Sequence, residues 1–245
     1  MFHESAELYD AIYFSFKDYK AEAAAIAARI RSEHPKARTV LDVACGTGEH
    51  ARLLATEHGF TVDGVDLNAD FLRLARSKHP AGKFYEADMR DFQLPDRYDA
   101  VICMFSSIGY VKTLPELERA LRTFQRHLAP NGVVIVEPWF SPEVVKSGSH
   151  SVRAATANGI HVERTGRVVI EDRMCLLTFD YAIEEGGQTR HTSEVHELGL
   201  FTKDETLEAF ADAGLAAEHH APSDLNRGLY VARATDAAWG QSRGE

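Results

Sequence analysis

Cysteine is scarce in this chain: three among 245 residues, at Cys45, Cys103 and Cys175. None stands in a C-x-x-C pair and the number is odd. That fits reduced thiols packed among apolar neighbours better than a disulfide framework or a zinc site. Long apolar runs are missing as well. No stretch approaches the ~18 residues that a membrane span requires, and MFHESAELYD has no basic segment followed by an apolar core. Neither a span nor a signal peptide is expected, and the protein is read as cytoplasmic. Positive charge is in deficit, with 27 Lys and Arg against 37 Asp and Glu and a formal charge of −10. A nucleic-acid binder usually carries a basic face, so that class is set aside. The twelve histidines form no H-x-x-x-H or H-E-x-x-H pattern, and no metal is expected. No internal repeat is visible.

What is present is organised around Thr39–His50, TVLDVACGTGEH. An apolar run carrying Asp42 leads into a tight Gly46-Thr47-Gly48 turn, and a helical pattern follows from Glu49. A buried strand ending in glycines lets a ligand approach the backbone, since glycine has no Cβ to block it. Asp66 closes a second apolar run twenty residues after Gly46, where an acid can hold a ribose. Three more short strands follow, Lys83–Ala87, Tyr98–Met104 and Gly132–Val136, separated by helical stretches or turns. Helix starts are marked at Thr113-Leu114-Pro115-Glu116 and Thr202-Lys203-Asp204-Glu205, both read as capping boxes. The repetition predicts an α/β fold, a Rossmann-like doubly wound and mostly parallel seven-stranded sheet. An antiparallel β unit is inserted after the fifth strand: Ile160–Ile170, Met174–Ile183 and Thr189–Phe201, with a turn at Glu185-Gly186-Gly187-Gln188. Two last strands, Ala216–His220 and Leu229–Arg233, return to the main sheet.

These elements divide the chain into an arm and helix over 1–36, expected to cover the cofactor and substrate, and a nucleoside-binding core over 37–140. The β insertion over 141–200 is expected to serve as substrate wall or dimer surface. Residues 201–234 return to the core sheet, and 235–245 are read as a flexible tail. Right-handed crossovers bring the C-terminal strand ends to one rim, collecting Gly46, Gly48, Asp66, Asp88, Ser106, Ser107, Tyr110, Glu137 and Trp139.

The spacing Gly46-x-Gly48-x-x-Ala51 alone fits a dinucleotide, and a nicotinamide oxidoreductase is one alternative. Asp42 argues otherwise. A carboxylate four residues before the first glycine can organise the loop and, through water, a cationic amino group, whereas a pyrophosphate gains nothing from it. Asp88-Met89 offers an acceptor for an adenine amino group and an apolar side chain for its ring face. In LDVACGTG, VDL and ADM, in that order, the chain resembles the class I S-adenosylmethionine-dependent methyltransferases.

The resemblance narrows further. AELYD at 6–10, KDY at 17–19, DMRDF at 88–92, MFSSIGY at 104–110, GVVIVEPWF at 132–140, LFT at 200–202 and RGLY at 227–230 resemble the TDP-amino-sugar N,N-dimethyltransferases. That family makes the dimethylamino sugars of macrolide-type antibiotics and is known as homodimers. The resemblance implies S-adenosyl-L-methionine as cofactor, a nucleotide-linked amino sugar as the small-molecule substrate, and a homodimer. It places Tyr9, Tyr19, Gly46, Gly48, Asp66, Asp88 and Met89 at the cofactor. Ala44, Leu67 and Met104, at the ends of the first, second and fourth strands, complete that expected set. Tyr110 stands where the family usually has His, and Trp139-Phe140 where it has Trp-Trp. The arm ahead of AELYD is shorter than the family's.

Methyl transfer from a sulfonium is an in-line displacement in which orientation supplies much of the rate. Tyr110 is the candidate to hold the amine or a neighbouring hydroxyl. Glu137 is a second catalytic candidate, as an acceptor at the rim, and capping a loop is its other reading. Ser106, Ser107, Trp139, Phe140 and Arg227 are the candidate substrate residues, Trp139 for ring stacking and Arg227 for a pyrophosphate. A methyltransferase acting on the nitrogen or oxygen of a non-sugar small molecule remains the alternative.

Overall fold

The computed structural model describes residues 6–157, 159–221 and 227–235. The expected tail beyond Thr235 lies outside them. Short strands, mostly buried, carry the sheet: β1 (Thr39–Val43), β2 (Thr61–Asp66), β3 (Phe84–Glu86), β4 (Tyr98–Cys103) and β5 (Leu128–Val136). With β10 (Leu215–His220) and β11 (Leu229–Ala234) they make a seven-stranded sheet in the order β10-β11-β5-β4-β1-β2-β3. Strands β1 to β5 are parallel, and β11 pairs antiparallel with both β5 and β10. This is the expected doubly wound sheet.

Successive residues of each strand bury on opposite faces, as the pleat requires. Val40, Ile102 and Ile135 face α2 (Tyr19–Glu33), α3 (Glu49–Thr56) and α4 (Ala69–Lys78). Their neighbours Leu41, Val101 and Val134 face α5 (Leu114–Arg126) and α6 (Lys203–Asp212). Local chemistry sets the helix starts. Asp18 accepts from the amide of Ala21 to begin α2, and Asn68 accepts from Asp70 and Phe71 to begin α4. Of the two expected capping boxes, Thr202 and Glu205 form the reciprocal pair. At α5 only half of the box exists. Thr113 accepts from Glu116, whose own carboxylate turns to the amide of Lys112 and to Arg90.

The insertion is a four-stranded antiparallel sheet of β6 (His150–Ala157), β7 (Ile160–Glu171), β8 (Met174–Glu185) and β9 (Gln188–Gly199), in that order. Its first strand is an addition to the sequence expectation. HSVRAATA is short-chained and largely exposed, so it lacks the apolar alternation that marks a half-buried strand. The Asn158-Gly159 pair was the available hairpin signal, and Gly159 takes a φ of +81°.

Residues Ala6–Phe14 form a further helix, α1, where the sequence pointed only to an arm. Ile12 packs with Val162, Phe179, Tyr181 and Ile183 of the inserted sheet. On its other side Asp10 meets Lys78 at 2.6 Å and accepts from the hydroxyl of Thr47 at 2.6 Å. α1 therefore ties the glycine turn to the insertion.

Candidate functional site: a two-part cleft at the strand ends

β1, β2 and β4 all end at one cleft. After β1 the backbone turns left-handed at Ala44 (φ +57°), Gly46 (+55°) and Gly48 (+76°). Asp66, at the end of β2, accepts from the amide of Gly46 at 2.8 Å and from that of Asn68 at 2.8 Å, which fixes the turn against β2. Burial pushes the Asp66 carboxyl up against the opposing pull of these backbone donors.

A small pocket of about 40 Å³ lies beside the turn, lined by Lys17, Tyr19, Asp42, Glu49, His50 and Met104 among others. Asp42 is 2 % exposed, and one of its carboxylate oxygens has no hydrogen-bond partner among the described residues. Burial first, and then the neighbouring Asp66, push its carboxyl up to about 8, against the pull of Lys17. Lys17 is itself buried and paired with Glu22 at 2.8 Å, its ammonium 3.5 Å from the centre of the Phe105 ring. Burial lowers the Lys17 ammonium against the raising effect of Glu22. A pocket holding a lone carboxylate oxygen and a cation fits the zwitterionic end of an amino acid.

Tyr9, Ala44, Gly46, Phe105 and Ser107 are shared between this pocket and a cavity of about 750 Å³. One lobe of the cavity is lined by Asp66, Leu67, Asn68, Phe71, Ala87 and Met89, a polar edge and an apolar slot suited to an adenosine. The other is lined by Ser106, Tyr110, Trp139, Phe140, Arg227 and residues of the inserted sheet.

Most of the sequence candidates thus line one cleft, with Tyr19 and Met104 in its small end. Three do not line it. Gly48 starts α3, and a Cβ there would lie 2.7 Å from that of Ala75, so it serves the close approach of α3 and α4. The Asp88 carboxylate is held by the guanidinium of Arg90 at 2.6–3.1 Å, which keeps it below the usual carboxylate range. That ion pair anchors the turn on which Met89 sits.

Glu137 is the third. One oxygen accepts from the amide of Phe105 at 2.7 Å and the other meets Arg227 at 3.3 Å. Of its two sequence readings, the geometry matches the loop cap. Phe105 and Ser106 are consecutive left-handed, non-glycine residues (φ +54° and +63°), a conformation that needs such an anchor. Glu137→Ala leaves this turn unheld and Arg227 unpaired. It is expected to cost about 3 kcal/mol by chemical denaturation.

Residues that the sequence did not nominate complete the site. Lys17 entered the sequence reading only within the KDY stretch at 17–19, with no role of its own. Arg164 of β7 lies 4.1 Å over the Phe179 ring and donates to the Tyr13 hydroxyl at 3.1 Å. His196 of β9 meets the Tyr110 hydroxyl at 2.8 Å. The available signal for His196 was Glu194-x-His196, two polar residues on the inner face of a strand with apolar neighbours.

The methyltransferase-domain family model matches residues 40–132. The dTDP-3-amino-3,6-dideoxy-alpha-D-glucopyranose N,N-dimethyltransferase of Streptomyces fradiae is 42% identical over 231 residues, 93% of this chain and 90% of the relative. The dTDP-3-amino-3,4,6-trideoxy-alpha-D-glucopyranose N,N-dimethyltransferase of Streptomyces venezuelae is 40% identical, covering 93% and 97% of the two chains. Among solved structures, Streptomyces venezuelae DesVI superposes with a TM-score of 0.89 at 39% identity over 96% of this chain and all of that one. CalS10 of Micromonospora echinaspora, an amino pentose methyltransferase solved with its S-adenosylmethionine bound, gives 0.85 at 34% over 96% and 98%. The nicotinamide alternative falls away, and S-adenosylmethionine is the cofactor. A parallel sheet whose strand ends form a zwitterion pocket and an adenosine slot, in a chain so close to these enzymes, places it in the S-adenosylmethionine-dependent methyltransferases, as a member of the dTDP-amino-sugar N,N-dimethyltransferase family.

Proposed function

We propose that this methyltransferase adds two methyl groups in turn to the amine of a TDP-linked 3-amino deoxysugar in antibiotic biosynthesis. The observation that carries the reading is the second lobe of the cavity, which opens directly from the cofactor groove at Phe105 and Ser107. It combines aromatic and cationic walls. The Arg227 guanidinium lies 4.9–5.1 Å from the rings of Phe140 and Trp139, and Arg153 and Arg164 line the same lobe. Flat rings and forked cations suit a base or sugar joined by a pyrophosphate. The two 3-amino relatives are 42% and 40% identical to this chain, against 34% for the dTDP-4-amino-2,3,4,6-tetradeoxy-D-glucose enzyme of Saccharopolyspora spinosa.

Lys17, Asp42, Tyr19 and the Gly46 turn would hold the amino-acid end of the cofactor, with Asp66, Leu67 and Met89 around its nucleoside. When bound, S-adenosylmethionine supplies an electrophilic methyl group and a leaving thioether that needs no acid. Tyr110 presents its hydroxyl in the acceptor lobe to orient the amine. α1, with Tyr9 and Tyr13, covers the junction of the lobes and keeps water from it.

The reading extends to a cytoplasmic homodimer. Its support is that all three cysteines are free and buried, and that Val152, Val169 and Val195 lie about half exposed on the outer face of the inserted sheet. No helix among the described residues is long and apolar enough to cross a membrane.

Mass spectrometry of products from 3-amino and 4-amino TDP-sugars tests the acceptor. Two methyl increments are expected, faster on the 3-amino compounds, with none on the analogue lacking the amine. Equal turnover of that analogue would end the amine assignment.

A further inference from the structure

We propose that His196 is a positioning residue for methyl transfer that works through Tyr110, taking up the tyrosine's hydroxyl proton as that oxygen receives a proton from the acceptor amine. The inference rests on the amine acceptor argued above. It begins with a contact across 86 residues: Tyr110 Oη lies 2.8 Å from His196 Nδ1. Tyr110 ends the short 3-10 helix Ser107–Tyr110, keeps 41 % of its surface and lines the acceptor lobe. His196 is 2 % exposed. On its other side Glu194 Oε1 stands 3.4 Å from His196 Nε2, and the Tyr181 hydroxyl donates to the same Glu194 oxygen.

The ring thus has a hydrogen-bonded oxygen at Nδ1 and a carboxylate within ion-pair reach of Nε2. A carboxylate at Nε2 stabilises hydrogen there, leaving Nδ1 to accept from Tyr110. Burial alone would raise the Glu194 carboxyl, yet the nearby His196 ring and the hydrogen bond from Tyr181 hold it below the usual range, so it is anionic at neutral pH. Other titratable groups near this chain among the described residues include Asp66 at the end of β2, which joins burial in raising the Tyr110 phenol, and Arg164 on β7 and Tyr13 on α1, which hydrogen-bond each other. Lys112 and Glu197 form an ion pair on the exposed side.

The chemistry explains the need. A sugar amine is largely protonated near neutral pH, and an ammonium has no lone pair to attack with. An ordinary phenol, with a pKa of about 10, keeps its proton near neutral pH, so Tyr110 does not stand as a phenolate that accepts the proton alone. In the relay the ammonium N–H passes its proton to Tyr110 Oη while the phenolic hydrogen moves to His196 Nδ1. The amine keeps the electron pair, and the imidazolium is held by Glu194. The new N–C bond then forms as the donor's S–C bond breaks, its pair leaving with sulfur. The proton on His196 returns to water before the secondary ammonium is deprotonated for the second round.

The test measures kcat and KM against pH, with a TDP-3-amino sugar, for wild type, Tyr110→Phe, His196→Asn and the double variant. Melting curves and S-adenosylhomocysteine affinity check that each is folded. Each single variant is expected to lose about a hundredfold in kcat with KM within about threefold. His196→Asn is expected to abolish the acid limb of the profile, and to add nothing in the Tyr110→Phe background. An equal loss in both backgrounds, a loss confined to KM, or an unchanged pH profile overturns the relay. A second measurement needs no acceptor: nitrogen NMR of histidine-labelled protein, in which Tyr110→Phe should shift the His196 Nδ1 resonance. An unmoved resonance overturns the proposal even if His196→Asn does not fold. If no amino sugar is methylated but the resonance moves, the acceptor reading falls and the Tyr110–His196 coupling stands.

Discussion

Asp42→Asn is expected to stabilise the ligand-free protein at pH 8 and, in the same molecule, to weaken S-adenosylhomocysteine binding tenfold or more. The two effects share one cause. The Asp42 carboxyl is fully enclosed, has one oxygen without a partner among the described residues, and is pushed up to about 8. The folded protein therefore holds a proton that the unfolded chain, with a carboxyl near 4, has released. Stability then falls as pH rises from about 4 to about 8 and levels off above. Asparagine mimics the protonated form and removes that slope, a gain of up to about 5 kcal/mol at pH 8, or on the order of 10 °C in melting temperature. Asparagine also removes the charge that makes the carboxylate a strong acceptor for the cofactor's amino group, worth about 1.5–3 kcal/mol. Calorimetry and isothermal titration at pH 5 and pH 8 read both effects. A melting temperature that falls at pH 8 would show that Asp42 is charged and satisfied in the free protein.

A second large effect is expected at Gly48→Ala, and Gly59→Ala supplies its reference. Both glycines are left-handed, at φ +76° and +71°, so both substitutions carry about 1 kcal/mol or more of backbone cost. They differ in what a methyl group meets. At Gly59 there is nothing within 4 Å, whereas at Gly48 the new Cβ lies 2.7 Å from Ala75 Cβ and 2.9 Å from Ala75 Cα. A helix backbone cannot yield as a flexible side chain does, so α3 and α4 must part, at about 1–3 kcal/mol more. Urea titration should place Gly48→Ala about 2–4 kcal/mol below wild type and Gly59→Ala about 1 kcal/mol below it. Equal losses would mean that the α3–α4 approach is loose.

These two positions also show what was legible in the sequence. Gly48 and Asp42 were conspicuous because the features that single them out, a glycine turn and an acid in an apolar strand, are local. The same holds for the central strands, whose apolar runs end at Ala44, Asp66 and Met104. Local signals misled at β5, which begins at Leu128 rather than Gly132. Asn131 takes a φ of +63°, and the pairing with β4 skips from Tyr98↔Leu128 to Ala100↔Val133, so Pro130-Asn131-Gly132, a stretch with turn chemistry, is an irregularity within the strand. The acceptor side was the least legible. Tyr110 meets His196, Tyr13 meets Arg164 and Glu137 meets Arg227 across 86, 151 and 90 residues. No periodicity in one segment encodes a partner in another. Glu137 stayed open between catalysis and support for that reason, since its tasks are set by the Phe105 amide and by Arg227.

The seat of α1 has a consequence for how such a chain can change over generations. Among the described residues the four strands within 141–200 pair as strands only with one another, so exchanging them for a different wall would not disturb the register of the parallel sheet. Yet Ile12 is sealed by Val162, Phe179, Tyr181 and Ile183, while Asp10, two residues earlier, is clasped by Lys78 and Thr47. A graft of this segment that ignores the first helix would leave a bare apolar seat on one side and a loose cover on the other. The first helix and the inserted sheet therefore form one packing unit split across the chain, its two parts more than a hundred residues apart, and recombination has to carry both.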